Sequence, residues 1–331
     1  MKPKIAITIG DFNGIGPEVV LRSIITPSVR KNIQPILIGS FELFQHYAKL
    51  FKINISLTQV ENLKAKVTTN DIPVINVHNA TTKNLLIGKN APDAGVCAGQ
   101  AIERAISLCM DKSVDAMVTA PISKEALHFA GYNFPGQTEM LAMLTRSERV
   151  AMMLISKTMR VALATVHIPL KNVSENLFTD RIVEKLSTVQ SSLKNDFGIS
   201  DPSIAVLGVN PHAGENGAIG MEEKDVIAPA IKKAQEKNIK AAGPFSADGF
   251  FASGMYKKYD AILAMYHDQG LIPLKMSGFD EGVNFSAGLK IIRTSPDHGT
   301  AFNIAGKGIA NPGSMISAIQ LASSIAQRRG K

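Results

Sequence analysis

Short apolar segments rich in β-formers alternate with amphipathic helical patterns along most of the chain, and this alternation restricts its fold more than any other feature. Apolar residues at three- and four-residue spacing predict helices at positions 18–25, 94–110, 180–193, 224–237 and 312–328. Apolar runs bounded by turn signals predict buried strands at positions 5–9, 35–38, 72–77, 116–119, 150–155, 161–166, 204–209 and 261–266. Strands and helices in alternation form βαβ units, so we predict an α/β fold with a largely parallel sheet.

The length of the chain suggests two domains, or one large divided α/β unit. Its 331 residues exceed the roughly 100–200 residues of an average domain. The chain has no low-complexity linker, and the best crossing points are the turn-rich stretch 131–136 and the Gly-rich region after Phe285. We therefore predict a first α/β subdomain from residues 1–130 and 290–331, and a second from residues 131–289.

Composition narrows the class of protein. No apolar run approaches the roughly 18 residues that span a bilayer, and the amino terminus lacks a signal-peptide core, so we expect a soluble, cytoplasmic protein. Cys97 and Cys109 are too few for a disulfide framework, and we expect both to be reduced and packed on helices. The formal charge is +8, with no Trp and with dispersed basic residues. This charge favours small anionic ligands over nucleic acid.

Three histidines share one local position, directly after a predicted strand. They are His167, His212 and His267, which follow the strands predicted to end at 166, 209 and 266. A single histidine at a strand end is more often a hydrogen-bonded structural residue. Because ligands bind at the carboxyl ends of parallel strands, three in matching context favour one divalent-metal site. Three protein ligands with an open position are typical of a catalytic centre.

Polar residues downstream of His267 form a second group, which includes Lys275, Asn284 and Arg293. An ammonium, an amide and a guanidinium together suit a phosphorylated or carboxylated substrate. The alternative is a solvated charged face. Proximity to the third histidine favours the substrate interpretation.

Two glycine-rich loops are also candidates for function. The loop at 10–17 runs from a predicted strand into a helix, where backbone N–H groups can meet an anion, but close packing of helix and strand explains it equally well. It matches neither the G-x-G-x-x-G nor the G-x-x-x-x-G-K-[ST] pattern. The small-residue loop at 297–312 is long enough to suggest function, and its alternative is a mobile connector.

Several motifs together identify a resemblance that covers essentially the whole chain. They are Gly10-Asp11 with Gly14-Ile15-Gly16-Pro17-Glu18, Thr119-Ala120-Pro121-Ile122-Ser123-Lys124, Phe134-Pro135-Gly136 with Thr138-Glu139, Asn210-Pro211-His212-Ala213-Gly214-Glu215, and Tyr266-His267-Asp268-Gln269-Gly270. The sequence resembles the 4-hydroxythreonine-4-phosphate dehydrogenase family of pyridoxal 5'-phosphate synthesis. The resemblance implies a two-subdomain α/β/α architecture like that of isocitrate and isopropylmalate dehydrogenases, with the active site in the cleft between subdomains.

The resemblance also implies roles for individual residues. The three strand-end histidines match the family's metal ligands, here a site for Zn, Mg or Co that is completed across a homodimer interface. Substrate contacts fall on Thr138, Lys275, Asn284 and Arg293, and Gln137 stands where the family usually has histidine. The terminal loop implies NAD binding without a Rossmann fingerprint, through Gly299, Thr300, Asn303 and Asn311.

The expected reaction is oxidation of 4-phosphohydroxy-L-threonine by NAD to 2-amino-3-oxo-4-phosphooxybutanoate, followed by decarboxylation to 3-amino-2-oxopropyl phosphate. Lys275 is the candidate for proton transfer, with Asp248 as a second. Neutral Asn303 lacks a carboxylate to repel the 2'-phosphate of NADP, so we expect only a moderate preference for NAD.

Three other functions remain open at the level of sequence. A dehydrogenase of threonate or erythronate 4-phosphate would keep the chemistry and change the substrate. A metal-dependent aldolase of a phosphorylated sugar would use the same three histidines. A protein that binds metal or metabolite without turnover is the third possibility.

Overall fold

The computed structural model describes residues 2–63, 68, 70–134 and 136–330. These residues form two compact units, one of Met1–Ser147 with Lys290–Lys331 (unit 1) and one of Glu148–Leu289 (unit 2). We expected the first boundary near residue 130, but the division follows Ser147 because helix Gln137–Leu144 packs on helix Pro92–Met110 within unit 1. Pro135, in the turn predicted at 131–136, lies outside the described residues.

Strands and helices alternate along the chain. The strands are β1 (Lys4–Thr8), β2 (Gln34–Gly39), β3 (Leu57–Val60), β4 (Ile72–Asn76), β5 (Ala116–Val118), β6 (Ala151–Ile155), β7 (Arg160–Leu163), β8 (Ser203–Leu207), β9 (Lys240–Phe245), β10 (Ala261–Ala264), β11 (Val283–Ala287) and β12 (Arg293–Pro296). The α-helices are α1 (Gly16–Ile24), α2 (Pro27–Arg30), α3 (Phe41–Leu50), α4 (Pro92–Met110), α5 (Lys124–Phe129), α6 (Gln137–Leu144), α7 (Thr179–Asn195), α8 (Ala228–Glu236), α9 (Ala247–Ala252), α10 (His267–Ser277) and α11 (Gly313–Arg329).

The sheet of unit 1 has the strand order β3-β4-β2-β1-β5-β12, and its neighbouring strands are parallel. The central strand β1 is buried from its second residue onward. Such continuous apolar strands need cover on both faces, and helices supply it. The predicted α/β class is therefore confirmed here in its parallel form.

The sheet of unit 2 has the order β11-β6-β7-β10-β8-β9. Its strands β7, β10, β8 and β9 are parallel to their neighbours in that run, whereas β11 and β6 pair antiparallel, as do β6 and β7. Leu163, Leu207 and Leu263 are fully buried on this sheet. The three parallel strands β7, β10 and β8 are thus packed in an apolar core up to their carboxyl ends.

The predicted helices and strands are all present, with ends shifted by a few residues. The helix predicted at 224–237 begins as a π-helical turn, Glu223–Ile227, and becomes α-helical at α8. Pro229 lacks an N–H and so cannot make the α-helical hydrogen bond at this point. No helix within the described ranges is both long and apolar enough to cross a bilayer.

Candidate functional site

The three strand-end histidines follow three adjacent parallel strands of unit 2. Strand β10 lies between β7 and β8, and His167, His267 and His212 come three to five residues after β7, β10 and β8 end. Carboxyl ends of parallel strands share one edge of a sheet, where ligands bind. The structure therefore places the three residues at one edge of one sheet.

His167 and His267 are close neighbours at this edge. Their ring centroids lie 5.8 Å apart, with an angle of 41° between the ring planes. Two imidazoles that share one ion at about 2.0–2.1 Å have ring centres about 5 Å apart, so this pair fits a common metal. The Nδ1 atom of His267 lies 2.7 Å from Oδ1 of Asp268. That contact favours a proton on Nδ1 and leaves Nε2 as the ligand atom.

His212 lies in a turn with unusual backbone geometry. Residues 212–216 all have positive φ, and His212 itself has φ 51°. A run of left-handed residues that includes side-chain-bearing ones is strained and needs support from its surroundings. The support comes from Glu223, whose buried carboxylate accepts hydrogen bonds from the backbone N–H of Val209 at 2.7 Å and of Asn210 at 2.8 Å.

The structure does not bring the three histidines into one compact cluster. Within the described ranges, no group of three or more His, Cys, Asp or Glu side chains is spaced to hold a metal ion. The donor set still fits a metal, because neutral imidazole suits zinc and because the separation of the His167 and His267 rings fits a shared ion. The three-histidine metal site stays a prediction.

Asp248 carries a carboxylate whose charge is stabilised. It lies exposed on α9, and a hydrogen bond from the Ser246 hydroxyl lowers its pKa, with further lowering from the backbone N–H of Gly249 and the charge of His212. The side chain is therefore ionised near neutral pH and can accept a proton but not supply one.

The other predicted substrate groups of unit 2 lie on α10 and β11. Lys275 is partly buried near the end of α10. Asn284 pairs with Leu154 of β6 through the sheet, and its side-chain Oδ1 is shielded from solvent with no hydrogen-bond partner. An amide oxygen in this state is available to a ligand that donates a hydrogen bond.

Arg293, in unit 1, is a buried cation rather than part of a solvated charged face. Its side chain is 1% exposed, and burial lowers its pKa to about 9. It donates hydrogen bonds to Thr119 Oγ1, at 3.1 Å from Nε and 2.7 Å from Nη2, and to Gln137 Oε1. Thr138 follows Gln137 in the first turn of α6. The structure thus brings together the predicted residues Arg293, Gln137 and Thr138.

The contact with Arg293 fixes which way the Gln137 amide points. A guanidinium has donors only, so the atom that faces it must be the amide oxygen. The Nε2 atom of Gln137 is shielded and has no hydrogen-bond partner. Gln137 therefore presents an unused N–H donor, which a substrate oxygen can accept.

The loop at 297–312 is held to helix α1 rather than left mobile. The N–H of Ile15 donates to Thr300 O at 2.9 Å, Arg22 Nη2 donates to Gly308 O at 2.7 Å, and Glu18 Oε1 accepts from Ala310 N–H at 3.1 Å. Of the predicted cofactor residues, Asn303 and Asn311 are exposed, and Asn311 Oδ1 accepts from Gly313 N–H at the start of α11.

The loop at 10–17 serves close packing, and the anion-binding interpretation is wrong for its central N–H groups. The N–H groups of Asn13 and Gly14 are bonded to Asp11, and that of Ile15 to Thr300. A Cβ atom at Gly14 would lie 2.7 Å from Thr300 O, so only glycine permits this approach. Burial raises the pKa of Asp11 to about 6, and a bound anion nearby would disfavour its carboxylate further and raise this pKa again.

Sequence reasoning missed several residues that hold the site in place, among them Glu223, Arg22, Thr165 and Gln269. Glu223 is the clearest case, because it lies at the start of a predicted helix, where a glutamate is ordinary, and only the structure shows that its carboxylate is buried. Gln269 stands in a recognised motif. Its Oε1 accepts from Met265 N–H, and its Nε2 donates to Gly208 O, which follows a different strand, β8.

Comparison with known proteins gives the family-level context. The model of the family "Pyridoxal phosphate biosynthetic protein PdxA" matches residues 31–322. A 4-hydroxythreonine-4-phosphate dehydrogenase of Trichlorobacter lovleyi is 42% identical, over 99% of this chain and 99% of its own. A D-threonate 4-phosphate dehydrogenase of Cupriavidus necator is 40% identical, over 99% and 98%. The crystal structure of 4-hydroxythreonine-4-phosphate dehydrogenase from Klebsiella pneumoniae matches with a TM-score of 0.89 and 39% identity, over 99% of each chain.

Proposed function

We propose, from the premise that the chain belongs to the family of pyridoxal phosphate biosynthetic protein PdxA, that it oxidises 4-phosphohydroxy-L-threonine with NAD. The substrate C–H gives a hydride to NAD and its hydroxyl gives a proton, which yields a β-keto acid that loses CO2 to leave 3-amino-2-oxopropyl phosphate. This places the chain in pyridoxal 5'-phosphate (vitamin B6) biosynthesis. The observation that carries the proposal is the position of three histidines at adjacent parallel strand ends.

The proposed metal ligands are His167, His212 and His267. A bound divalent ion, Zn, Co or Mg, would act as a Lewis acid on the substrate hydroxyl. Asp268 orients His267 through Nδ1, and Glu223 holds the turn that carries His212. These two carboxylates therefore act on the ligands rather than on the substrate.

The substrate groups are assigned by their hydrogen-bonding capacity. Gln137 offers the N–H donor that its contact with Arg293 leaves unused, and Thr138 offers a hydroxyl beside it. Lys275 offers an ammonium for the phosphate or carboxylate, and Asn284 offers an amide oxygen for a substrate donor. Arg293 contributes its positive charge from a buried position.

Two residues are proposed for proton transfer. Lys275 is the first choice and Asp248 the second. The lowered pKa of Asp248 restricts it to accepting a proton or to stabilising positive charge near His212.

The cofactor is proposed to bind at the loop of unit 1 that contains Gly299, Thr300, Asn303 and Asn311, and NAD is preferred moderately over NADP because Asn303 is neutral. A homodimer is proposed to complete the active site. Phosphorylated small molecules, rather than nucleic acid or membrane, are the proposed partners.

A second candidate is a dehydrogenase of D-threonate 4-phosphate. The 40% identity to the Cupriavidus necator enzyme of that name supports it. The amide N–H of Gln137 supports it as well, because the 2-hydroxyl of threonate can accept a hydrogen bond, whereas the ammonium group of 4-phosphohydroxy-L-threonine can only donate.

Initial rates of NAD reduction on both substrates separate the two candidates. We expect faster reduction on 4-phosphohydroxy-L-threonine, at equal substrate and cofactor concentrations. Reduction confined to threonate 4-phosphate would replace the substrate assignment. If NAD is reduced on neither substrate and the chain cleaves a phosphorylated sugar, the result would instead favour the aldolase.

A further inference from the structure

Thr119 stands directly after β5 and opens the motif Thr119-Ala120-Pro121-Ile122-Ser123-Lys124, which the proposed function leaves without a role. Its side chain is fully buried. Its backbone N–H donates to Thr294 O of β12 at 3.0 Å, and the N–H of Ala120 donates to Thr8 Oγ1 of β1 at 3.2 Å. The strands on both sides of β5 therefore hold the backbone at Thr119 in place.

The hydroxyl of Thr119 fixes one edge of the Arg293 guanidinium. Thr119 Oγ1 accepts from Nε at 3.1 Å and from Nη2 at 2.7 Å. These two nitrogens lie along one edge of a rigid planar group, so two bonds to one oxygen set both the position and the plane of that edge. Arg293 is 1% exposed, and hydrogen bonds from a charged donor that is shielded from water are strong ones.

The same edge of Arg293 reaches Gln137. Nη2 also donates to Gln137 Oε1, and Gln137 is the first residue of α6, followed by Thr138. Helix α6 has Gly136 at its N-cap and no side-chain hydrogen bond there. The contact with Arg293 therefore orients the Gln137 amide, and the orientation of Arg293 depends in turn on Thr119.

We infer that Thr119 is a positioning residue for the substrate groups of unit 1, because it holds Arg293 and, through Arg293, the amide of Gln137. The inference rests on the proposed function, since it needs Arg293 and Gln137 to meet the substrate. All three residues lie within unit 1. Groups that bind a substrate must be held close to their productive geometry by the residues behind them, and a strand end is a rigid support.

A second buried threonine of the same sheet supplies a matched control. Thr294 on β12 is also fully buried, and its Oγ1 donates to Ala318 O of α11 at 2.8 Å. Thr294→Val therefore removes a buried hydroxyl bond and leaves the hydroxyl of Thr119 in place. Thr119→Ser keeps the oxygen that Arg293 needs and is the conservative rescue.

The experiment measures steady-state kinetics of the metal-loaded chain on 4-phosphohydroxy-L-threonine and NAD, with thermal unfolding in parallel. Thr119→Val should raise KM for the phosphorylated substrate about fivefold or more, with smaller changes in kcat and in KM for NAD. Thr119→Ser and Thr294→Val should keep the substrate KM of the parent, although Thr294→Val lowers the unfolding temperature. Thr119→Ala, which places no methyl group against the guanidinium, should raise the same KM and serves if the valine variant does not fold.

A double variant tests whether Thr119 acts through Arg293 on Gln137. Residues of one hydrogen-bond network have effects that do not add. Once Gln137→Ala has removed the amide, Thr119→Val should lose part of its effect. The increase in substrate KM in the double variant should therefore be smaller than the product of the two single increases.

Three results would overturn the inference. An unchanged substrate KM in folded Thr119→Val or Thr119→Ala would show that the hydroxyl serves stability alone. An equal increase in Thr294→Val, or a double variant whose increase equals the product, would assign the effect to general loosening of the sheet. A parent chain without turnover on this substrate would reject the proposed function together with the inference, whereas the first two results leave that function intact.

Discussion

At the scale of single residues, the substitution of His212 tests whether this histidine is a metal ligand or a structural residue. It lies in a left-handed turn, apart from the close pair His167 and His267. We expect His212→Ala to lose the bound metal and turnover but to keep the fold, because Glu223 and not His212 holds the turn. Metal analysis and circular dichroism check this outcome. His128→Ala is the control, since His128 is exposed on α5. Stoichiometric metal and normal turnover in His212→Ala would refute its role.

Gln137 tests whether the residue beside Thr138 positions substrate or transfers a proton. Because Gln137 Oε1 accepts from Arg293, its N–H group is pre-oriented, and we expect Gln137→Ala to raise KM more than it lowers kcat. Gln137→His should change kcat by less than about tenfold, since a neutral imidazole can also accept from Arg293 and donate elsewhere. Steady-state kinetics decide the matter. A much larger gain in kcat with histidine would assign a proton-transfer role to the position.

Asp11 predicts a pH dependence of stability. Burial raises its pKa from 3.8 to about 6, so the folded chain binds the proton more tightly than the unfolded chain does. The resulting stabilisation is complete below about pH 4 and is lost as the pH rises to about 6. A shift of about two pKa units corresponds to about 3 kcal/mol as an upper value.

Urea unfolding of Asp11→Asn checks this dependence. The free energy of unfolding of the variant should lack the fall between about pH 4 and about pH 6 that the parent chain shows. Asp225→Asn, at an exposed position, should keep the fall. The same pH profile in Asp11→Asn and in the parent would mean that Asp11 does not titrate in this range.

At the scale of elements, helix α1 fixes the loop that we propose for the cofactor. Arg22 bonds Glu18 at 3.0 Å and Gly308 O at 2.7 Å. We expect Arg22→Met to raise KM for NAD several-fold with a smaller effect on kcat, and to speed amide hydrogen exchange in residues 297–312. Arg30→Met on α2 is the control. Unchanged exchange in the loop would show that α1 does not hold it through Arg22.

A buried strand can be predicted from the sequence when its residues are apolar, but not when they are polar. Strand β1 reads as an apolar run and is buried as one, so it was predictable. Strand β12 reads Arg-Thr-Ser-Pro, yet it is wholly buried, because Arg293 bonds Thr119 and Thr294 Oγ1 donates to Ala318 O. Those partners are distant in sequence, and the four residues of β12 contain no apolar run that would predict a strand.

The same distinction holds for the site. That histidines follow strands is local information, and the sequence supplied it. The partnership of Gln269 with Gly208 depends on β10 lying between β7 and β8, an order that differs from chain order. The support of the His212 turn by Glu223 likewise depends on folding. The residues that we propose as ligands were therefore easier to find in the sequence than the residues that hold those side chains in place.

At the scale of the whole molecule, the fold divides the chemistry between two units. Unit 2 carries the three histidines, Lys275 and Asn284, whereas unit 1 carries Arg293, Gln137, Thr138 and the proposed cofactor loop. Neither unit alone contains all the groups that the proposed reaction needs.

The most direct test of the account follows NAD reduction and CO2 release together on 4-phosphohydroxy-L-threonine. The chelator-treated chain should do neither, and restoring Zn2+ or Co2+ should return both, with one CO2 released for each NAD reduced. Sustained NAD reduction by the chelator-treated, metal-free chain, or NAD reduction without CO2 release after metal is restored, would contradict a metal-dependent oxidative decarboxylation.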